Sequence, residues 1–240
     1  MAAIQWLKSA PVIGPVLRRA VRALRGGPDL RPPDLPFTTS GEYWDSRYRS
    51  GGNSGAGSYN RLAAFKAEFL NDWVARHGIG SVVEWGSGDG AQLALAHYPA
   101  YVGVDVSRAA VERTRARFAG EPRFAFLHTS EVTPDLRADL SLSLDVIYHL
   151  VEDETFDAYM RALFDAADRA VIVYASDKDR VTSNPHVRHR RFSAWVEANR
   201  PDFALTERVP NRYPFDPEDP NNTSFADFYV FERIAPPDAR

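Results

Sequence analysis

The chain has 240 residues, which suits a single α/β domain with an added segment and argues against two full-sized domains. Its hydrophobic content of 44% is enough to bury a core, so a chain that is disordered throughout is excluded. The net charge of −3 argues against a nucleic-acid-binding protein that depends on a basic surface. Because there is no cysteine, a disulfide scaffold, a thiolate metal site and a cysteine nucleophile are excluded, and the sequence fits a reducing compartment.

The first 28 residues form a basic segment without an acidic residue. Its basic residues are Lys8, Arg18, Arg19, Arg22 and Arg25. The Pro-rich stretch 26–36 follows it as a linker. We expect a solvated arm, with contact to an anionic membrane surface as the alternative. The apolar run 11–17 is too short and too rich in proline to span a bilayer, and no secretory cleavage site follows it, so we expect a cytoplasmic protein without a transmembrane segment.

Hydrophobic periodicity predicts alternating helices and strands along the middle of the chain. Apolar residues at helical spacing from Leu62 to Val74 predict a helix that ends at His77. The apolar strand 81–85 then runs into a glycine loop, after which we expect a helical stretch through His97. The further elements are strand 101–105, helix 109–118, strands 124–127 and 140–145, helix 156–167 and strand 170–174. This alternation predicts a mostly parallel sheet with helices on both faces.

The last third of the chain changes character. Residues 192–199 have the pattern of a helix, and residues 203–206 and 228–231 have the pattern of strands. A Pro-rich excursion separates these two strands, and we expect them to finish the sheet as an antiparallel hairpin.

The glycine loop that follows the first strand contains Gly86, Gly88 and Gly90. Glycines let the chain turn sharply and bring backbone N–H groups, at the positive end of the expected helix, against the oxygens of a ligand. With Ala91 the loop also satisfies the dinucleotide fingerprint loosely. Glu84 instead favours a nucleoside that carries an amino acid, because a fixed carboxylate suits a cationic amino group better than a pyrophosphate.

Through segments 83–90, 104–107 and 144–149, the chain resembles the class I S-adenosylmethionine-dependent methyltransferases. The resemblance covers roughly residues 40–233 and implies a Rossmann-like, doubly wound sheet of seven strands with an antiparallel C-terminal strand. It implies that Glu84 and the glycines hold the methionine end of S-adenosylmethionine, that Asp105 takes both ribose hydroxyls, and that Val106 flanks the adenine. The family often has an aspartate after the third strand, where this chain has the stretch 128–131.

The segments 43–48, 51–58 and 186–190 look like a subgroup of small bacterial methyltransferases of glycan biosynthesis. The nearest relatives that this resemblance suggests are the sugar O-methyltransferases of methylmannose polysaccharide synthesis. We expect the Gly- and Ser-rich loop 50–58 to act as a lid that excludes water, with a flexible surface loop as the alternative. The further residues expected to contact the cofactor are Tyr43, Arg47, Ser54 and Ser130.

The sequence pattern and the resemblance predict three parts of the chain: an N-terminal arm with its linker at 1–36, a methyltransferase domain at 37–235 and a tail at 236–240. Within the domain, residues 37–77 are expected to supply the lid and a helix. Residues 178–225 are expected to supply the insertions that bind the acceptor.

A sugar hydroxyl needs a base to remove its proton, and His149 is the candidate because it follows the fourth strand at the edge where ligands of such sheets bind. The alternative is a structural histidine that caps the next helix. Asp145 could orient the imidazole or simply end the strand, and His189 is a second candidate base. The residues expected to bind the saccharide acceptor are Tyr148, His186, Arg188, His189 and Tyr213.

The basic cluster at 186–190 could equally be a solvated loop balanced by Asp177 and Asp179. Asp145, His149, Asp177 and His186 offer atoms that magnesium accepts, but their spacing is not diagnostic. Magnesium therefore stays open as a second cofactor, and so does a homo-oligomer.

Four other functions are alternatives to a sugar O-methyltransferase. The Tyr174-x-x-x-Lys178 motif of short-chain dehydrogenases is rejected, because it needs a helix and Tyr174 ends a strand. A protein methyltransferase would need a peptide groove that the sequence does not reveal. A natural-product O-methyltransferase and a non-catalytic protein that binds S-adenosylmethionine remain as alternatives.

Overall fold

The computed structural model describes residues 35–234. The predicted tail, and all but the last two residues of the predicted arm and linker, lie outside the described residues. The helices are α1 (Ser40–Arg49), α2 (Asn60–Arg76), α3 (Arg108–Arg117), α4 (Asp153–Asp165) and α5 (Phe192–Asn199). The strands are β1 (Val82–Trp85), β2 (Tyr101–Asp105), β3 (Phe124–His128), β4 (Ala138–Leu144), β5 (Ala167–Ala175), β6 (Arg180–Val181), β7 (Arg188–His189), β8 (Phe203–Val209) and β9 (Asp227–Arg233).

Seven of these strands form one sheet in the order β3-β2-β1-β4-β5-β9-β8. The strands from β1 to β5 are parallel to their neighbours, whereas β9 runs antiparallel to both β5 and β8. The predicted doubly wound, mostly parallel sheet with a closing antiparallel hairpin is therefore confirmed. Because β1 and β4 lie side by side and continue to opposite edges, their carboxyl ends form the crevice in which ligands of open α/β sheets bind.

The sheet is buried on both faces. One apolar cluster joins α2 to the strands and contains Phe65, Leu70 and Trp73. The cluster on the opposite face joins α4 and α5 to the strands and contains Met160 and Phe164. Helix α4 follows the predicted pattern closely, since its apolar stripe faces the sheet and its first turn carries two acidic residues that favour a helix N-terminus.

The expected helix from the glycine loop to His97 is wrong. Only a single 3₁₀ turn forms, at Leu93–Leu95, and Ala96 is already extended. The side chain of Asn71 donates to the carbonyl of Leu95 and accepts from the amide of His97, so these backbone groups are tied to α2 rather than to each other.

Three further elements were not predicted as secondary structure. Helix α1 directly precedes the expected lid loop 50–58 and is capped by Thr39, whose hydroxyl accepts from the amide of Glu42. Strands β6 and β7 pair as a separate two-stranded sheet within the expected acceptor insertions. None of the helices in residues 35–234 has the length and apolar character that crossing a bilayer requires.

Candidate active site

A cavity of about 350 Å³ lies at the carboxyl ends of β1, β2 and β4. This volume is within the range of small-molecule sites. The strand ends and the loops that follow them supply Glu84, Trp85, Gly86, Ser87, Asp105, Val106, Asp145, Val146 and His149 to its wall. The segment before β1 adds Ser40, Gly41, Trp44, Tyr48, Ser54 and Ser58, and α4 adds Thr155, Ala158, Tyr159 and Ala162.

The glycine loop turns three times through left-handed backbone geometry. Gly86, Gly88 and Gly90 have φ angles of 81°, 60° and 72°. A Cβ atom at Gly88 would collide with the hydroxyl of Ser54, and one at Gly86 would collide with Val146. At Gly86 and Gly88, the close contact and the left-handed backbone geometry therefore each require glycine. Gly86 lines the cavity, whereas Gly88 and Gly90 shape the loop behind the wall.

Two buried carboxylates flank this loop. Glu84 accepts a hydrogen bond of 2.7 Å from the hydroxyl of Tyr101, and burial raises the pKa of Glu84 to about 7. Asp105 accepts from the amides of Gly88 and Ser107 at 2.8 and 2.9 Å, and burial raises the pKa of Asp105 to about 6. Because burial penalises their charged forms, both carboxylates gain from a ligand that brings positive charge or hydrogen-bond donors into the cavity.

The Gly- and Ser-rich loop 50–58 packs against the glycine loop. The amide of Ser54 donates to Asp89, and the hydroxyl of Ser54 accepts from the amide of Asp89, both at 3.0 Å. Arg47 is buried, and its Nε donates to the carbonyl of Asn53 at 2.6 Å. Ser54 thus lines the cavity, while Arg47 holds the loop in place from behind. Whether the loop opens and closes as a lid stays a prediction.

His149 lines the cavity and presents one ring nitrogen to the protein. Its Nδ1 lies 3.0 Å from the carbonyl oxygen of His186. Because a carbonyl can only accept, Nδ1 must carry the proton and Nε2 must hold a lone pair when the ring is neutral. Burial lowers the pKa of His149 to about 4, so the ring is neutral at pH 7. Among residues 35–234, Nε2 has no hydrogen-bond partner, and the edge of Trp44 packs on the ring.

Asp145 lies four residues before His149 on the chain but is held by other residues. The ammonium of Lys66 lies 2.6 Å from one carboxylate oxygen, and the hydroxyl of Tyr148 donates to the other at 2.8 Å. Lys66 is fully buried, and Asp145 has a φ angle of 62°, which is strained for a residue other than glycine. The imidazole of His149 is thus oriented by the His186 carbonyl, and Asp145 forms a fixed ion pair in the cavity wall.

The expected acceptor residues are only partly brought together. The ring of His186 stacks on Tyr43 with centroids 4.4 Å apart and also stacks beside His149, and neither His186 nor Tyr43 belongs to the cavity wall. Arg188 pairs with Asp153 at the start of α4, whereas Asp177 and Asp179, the partners expected for the basic cluster, accept hydrogen bonds from Ser193 and from the amide of Arg191. Tyr213 lies outside the wall and carries the guanidinium of Arg61 on its ring.

His189 is buried behind the cavity wall, where its Nδ1 lies 2.5 Å from the hydroxyl of Ser176. Burial lowers the pKa of this ring as well. Ser130 also lies outside the wall, because its hydroxyl bonds to His128 and Arg108, and its neighbour Thr129 lines the cavity instead. Of the two candidate bases, His149 is the one that reaches the cavity.

The four residues weighed for magnesium do not form one site. Asp145 is paired with Lys66, and both oxygens of Asp177 accept from Ser193 at the start of α5. In the part of the chain that the structure describes, no three His, Asp or Glu side chains are grouped to hold a metal ion.

The sequence analysis assigned no individual role in the site to Trp44, Lys66, Trp85 or Gln92. Lys66 could have been found, because it occupies a position of the apolar stripe of α2, where a lone lysine must be buried or paired. Trp85 and Gln92 line the cavity, and each also has a buried polar atom without a partner among the described residues, the indole Nε1 and the amide Oε1. No sequence signal marks these two atoms.

A seven-stranded sheet of this order, with a glycine loop after β1 and acidic residues at the ends of β1 and β2, has the Rossmann-like methyltransferase fold. The chain matches no protein-family model and no curated protein sequence. It is similar to solved structures of methyltransferases, at sequence identities that show the fold alone.

Three of these structures illustrate the likeness. The N-methyltransferase NodS from Bradyrhizobium japonicum WM9, in complex with S-adenosylhomocysteine, is 13% identical, with a TM-score of 0.63 over 82% of this chain and 100% of that one. The magnesium protoporphyrin IX methyltransferase of Synechocystis PCC 6803, also with S-adenosylhomocysteine bound, is 15% identical, with a TM-score of 0.59 over 80% and 97%. The methyltransferase domain of bacterial CtHen1 is 21% identical, with a TM-score of 0.55 over 71% and 97%.

Proposed function

We propose that this protein is an S-adenosylmethionine-dependent O-methyltransferase that methylates a hydroxyl of a sugar or oligosaccharide in glycan biosynthesis. The observation that carries the proposal is the pair of buried carboxylates, Glu84 and Asp105, on either side of the glycine loop. One suits the ammonium of an amino acid and the other suits the hydroxyls of a ribose, and S-adenosylmethionine carries both groups.

The loop itself argues against a nicotinamide dinucleotide. A pyrophosphate binds to free backbone amides at the start of a helix, and its charge is favoured by the helix dipole. Here no α-helix follows the loop, and two of the loop amides are already taken: that of Gly88 by Asp105 and that of Asp89 by Ser54. A pyrophosphate would also lie close to the carboxylate of Glu84, which repels it.

The O-methylation part of the proposal rests on His149. Methyl transfer from a sulfonium is an in-line displacement, so the site must first hold the acceptor oxygen, the methyl group and the sulfur in line. A hydroxyl becomes a good nucleophile as it loses its proton, and the neutral Nε2 of His149 can accept that proton. The rings of Trp44 and Tyr48 in the adjoining wall suit the apolar face of a sugar, and the sequence resemblance supports the same acceptor class.

The decisive experiment incubates the purified protein with isotope-labelled S-adenosylmethionine and a panel of sugars and oligosaccharides, with magnesium or with a chelator. Mass spectrometry then locates the methyl group on any product. The proposal expects the label on a sugar hydroxyl. Label on a phenolic or other natural-product hydroxyl would support the alternative O-methyltransferase. Binding of the cofactor without transfer to any acceptor class would support a non-catalytic binding protein and contradict the proposal.

A further inference from the structure

The hairpin formed by β6 and β7 lies against the turn that carries His149. The carbonyl oxygen of His186, between the two strands, lies 3.0 Å from Nδ1 of His149. Directly after β7, the guanidinium of Arg190 donates to the carbonyls of Leu150 and Val151, and Leu150 lines the cavity. The hairpin is therefore fixed beside the part of the cavity where the proposed base lies.

The basic side chains of this segment fall into two groups. Arg188 and Arg190 both pair with Asp153 at the start of α4. Lys178 and Arg180, in contrast, are exposed, and their side chains make no ion pair with any residue in the range 35–234. Two positive charges next to the active-site turn are thus left for another partner.

The carboxylates that lie closest to these two cations along the chain are used at the start of α5. Both oxygens of Asp177 accept from Ser193, and one oxygen of Asp179 accepts from the amide of Arg191. The chain as a whole has a net charge of −3, so the unpaired cations are a local feature and not part of a generally basic surface.

Strand pairing brings the two cations close to the active-site turn. Arg180 lies directly opposite His189, and residues paired in this way project from the same face of a hairpin. Burial lowers the pKa of His189, and the positive charges of Lys178 and Arg180 lower it further, so both cations act on this ring. The ring of His189 lies 6.0 Å from that of Tyr148, which lies 4.6 Å from that of His149.

An arginine and a lysine without partners suit an anionic group. The guanidinium can donate two parallel hydrogen bonds to the oxygens of a phosphate, carboxylate or sulfate, and the ammonium adds a point charge. A neutral sugar would leave both charges without a partner, whereas an anionic group on the acceptor would bind them.

We propose that Lys178 and Arg180 bind an anionic group of the acceptor, so that the substrate is a sugar that carries a phosphate, a carboxylate or a sulfate. This inference rests on the proposed function, because it names the chemical class of the sugar whose hydroxyl is methylated at His149. The anionic group belongs to the methylated sugar or to the next unit of the saccharide.

The test extends the acceptor panel to matched neutral and anionic sugars. Glucose and mannose are each supplied as the neutral sugar, as sugar phosphates, as sugar sulfates and as the uronic acid. The kcat and KM of methyl transfer are measured for the wild type and for the double variant Lys178→Gln, Arg180→Gln. We expect an anionic sugar to be the best acceptor and the double variant to raise its KM about tenfold, with kcat within about twofold, because the two cations bind a group remote from the reacting atoms. The KM of the neutral sugar should change by less than about twofold.

A matched control separates local binding from net charge. The double variant Arg123→Gln, Arg137→Gln removes the same charge from two exposed arginines. These precede β3 and β4, at the opposite end of the strands from the cavity, so we expect wild-type KM values for both forms of the sugar. A salt series on the wild type needs no variant: higher ionic strength should raise the KM of the anionic sugar several-fold and leave that of the neutral sugar unchanged.

The possible results distinguish this inference from the proposed function. A neutral best acceptor, or an unchanged KM of the anionic sugar in the Lys178→Gln, Arg180→Gln variant, would overturn the inference and leave the proposed function intact. Equal weakening of neutral and anionic sugars would also overturn it, because the two residues would then shape the site and not bind the charge. If the wild type methylates no sugar of either kind, the proposed function itself fails, and the inference fails with it.

Discussion

Replacing His149 with glutamine tests the proposed base directly. Its pKa of about 4 makes it a weak base, so its contribution should lie near the lower end of the usual range of about 10²–10⁴-fold. We therefore expect His149→Gln to lower kcat about 100-fold, which corresponds to about 2.7 kcal/mol of transition-state stabilisation. Affinity for S-adenosylhomocysteine should stay within about threefold, because the ring is placed to act on the acceptor.

The pH dependence of the wild type gives an independent test. With a pKa of about 4, about 90% of His149 is neutral at pH 5, whereas an ordinary histidine with a pKa of 6.5 would be only about 3% neutral. At saturating cofactor and acceptor, kcat at pH 5 should therefore fall by only about 10% from its plateau on account of this group. A fall of about 30-fold with a midpoint near pH 6.5 would show an imidazole in an ordinary environment.

The assay is the initial rate of methyl transfer to the acceptor that the panel identifies, measured from pH 4 to pH 9. His77→Gln is the matched control, because the Nδ1 of His77 also lies at a backbone carbonyl, that of Trp73, but far along α2 from the cavity. Full activity of His149→Gln at saturating acceptor would refute the role of His149 as the base.

Three further variants test the electrostatics and the backbone of the site. Glu84→Gln should weaken cofactor binding and raise the free energy of unfolding at pH 8 by about 3 kcal/mol, because the folded protein no longer holds a buried carboxylate. The raised folded-state pKa means that the stability contribution of Glu84 is present below pH 4.5 and is lost as the pH rises to about 7. The gain in the variant should therefore vanish near pH 4, which urea denaturation at the two pH values would show. Lys66→Met should lower the free energy of unfolding by about 3–5 kcal/mol, because it leaves Asp145 without its partner. Adding Asp145→Asn should restore part of this loss. Additive effects of the two changes on the free energy of unfolding would contradict the ion pair. Gly78→Ala should lower the free energy of unfolding by about 1–2 kcal/mol, from its φ of 59° alone. Gly88→Ala has nearly the same φ and also a collision with Ser54, so it should lower the free energy of unfolding further and weaken cofactor binding. Equal losses in the two variants would show that the loop adapts to the added Cβ atom.

The fold could be predicted well where apolar runs are bounded by residues that end them. Strand β2 was predicted with its observed bounds, because an apolar run there is followed by the acid Asp105. The helix expected after the glycine loop shows the limit of this reasoning. Residues 91–97 favour a helix by composition, but a hydrogen-bonding side chain on another helix, Asn71, takes their backbone groups instead. A contact of this kind is set by the tertiary structure.

The site could be predicted as far as its strand ends. Three residues expected in the site line the cavity: Glu84 is the last residue but one of β1, Asp105 ends β2, and His149 lies in the turn after β4. The partners that set their properties could not be predicted. The carbonyl that fixes the tautomer of His149 belongs to His186, 37 residues away along the chain. The ion pair that occupies Asp145 likewise comes from Lys66 on a helix before the first strand.

The most direct test of the central claim is a calorimetric titration of the purified protein with S-adenosylhomocysteine and, separately, with NAD. The account predicts saturable binding of one S-adenosylhomocysteine per chain and no binding of NAD, because we propose that Glu84 binds an ammonium and Asp105 a ribose, and because the amides of Gly88 and Asp89 in the loop are occupied. Binding of NAD without binding of S-adenosylhomocysteine would contradict it.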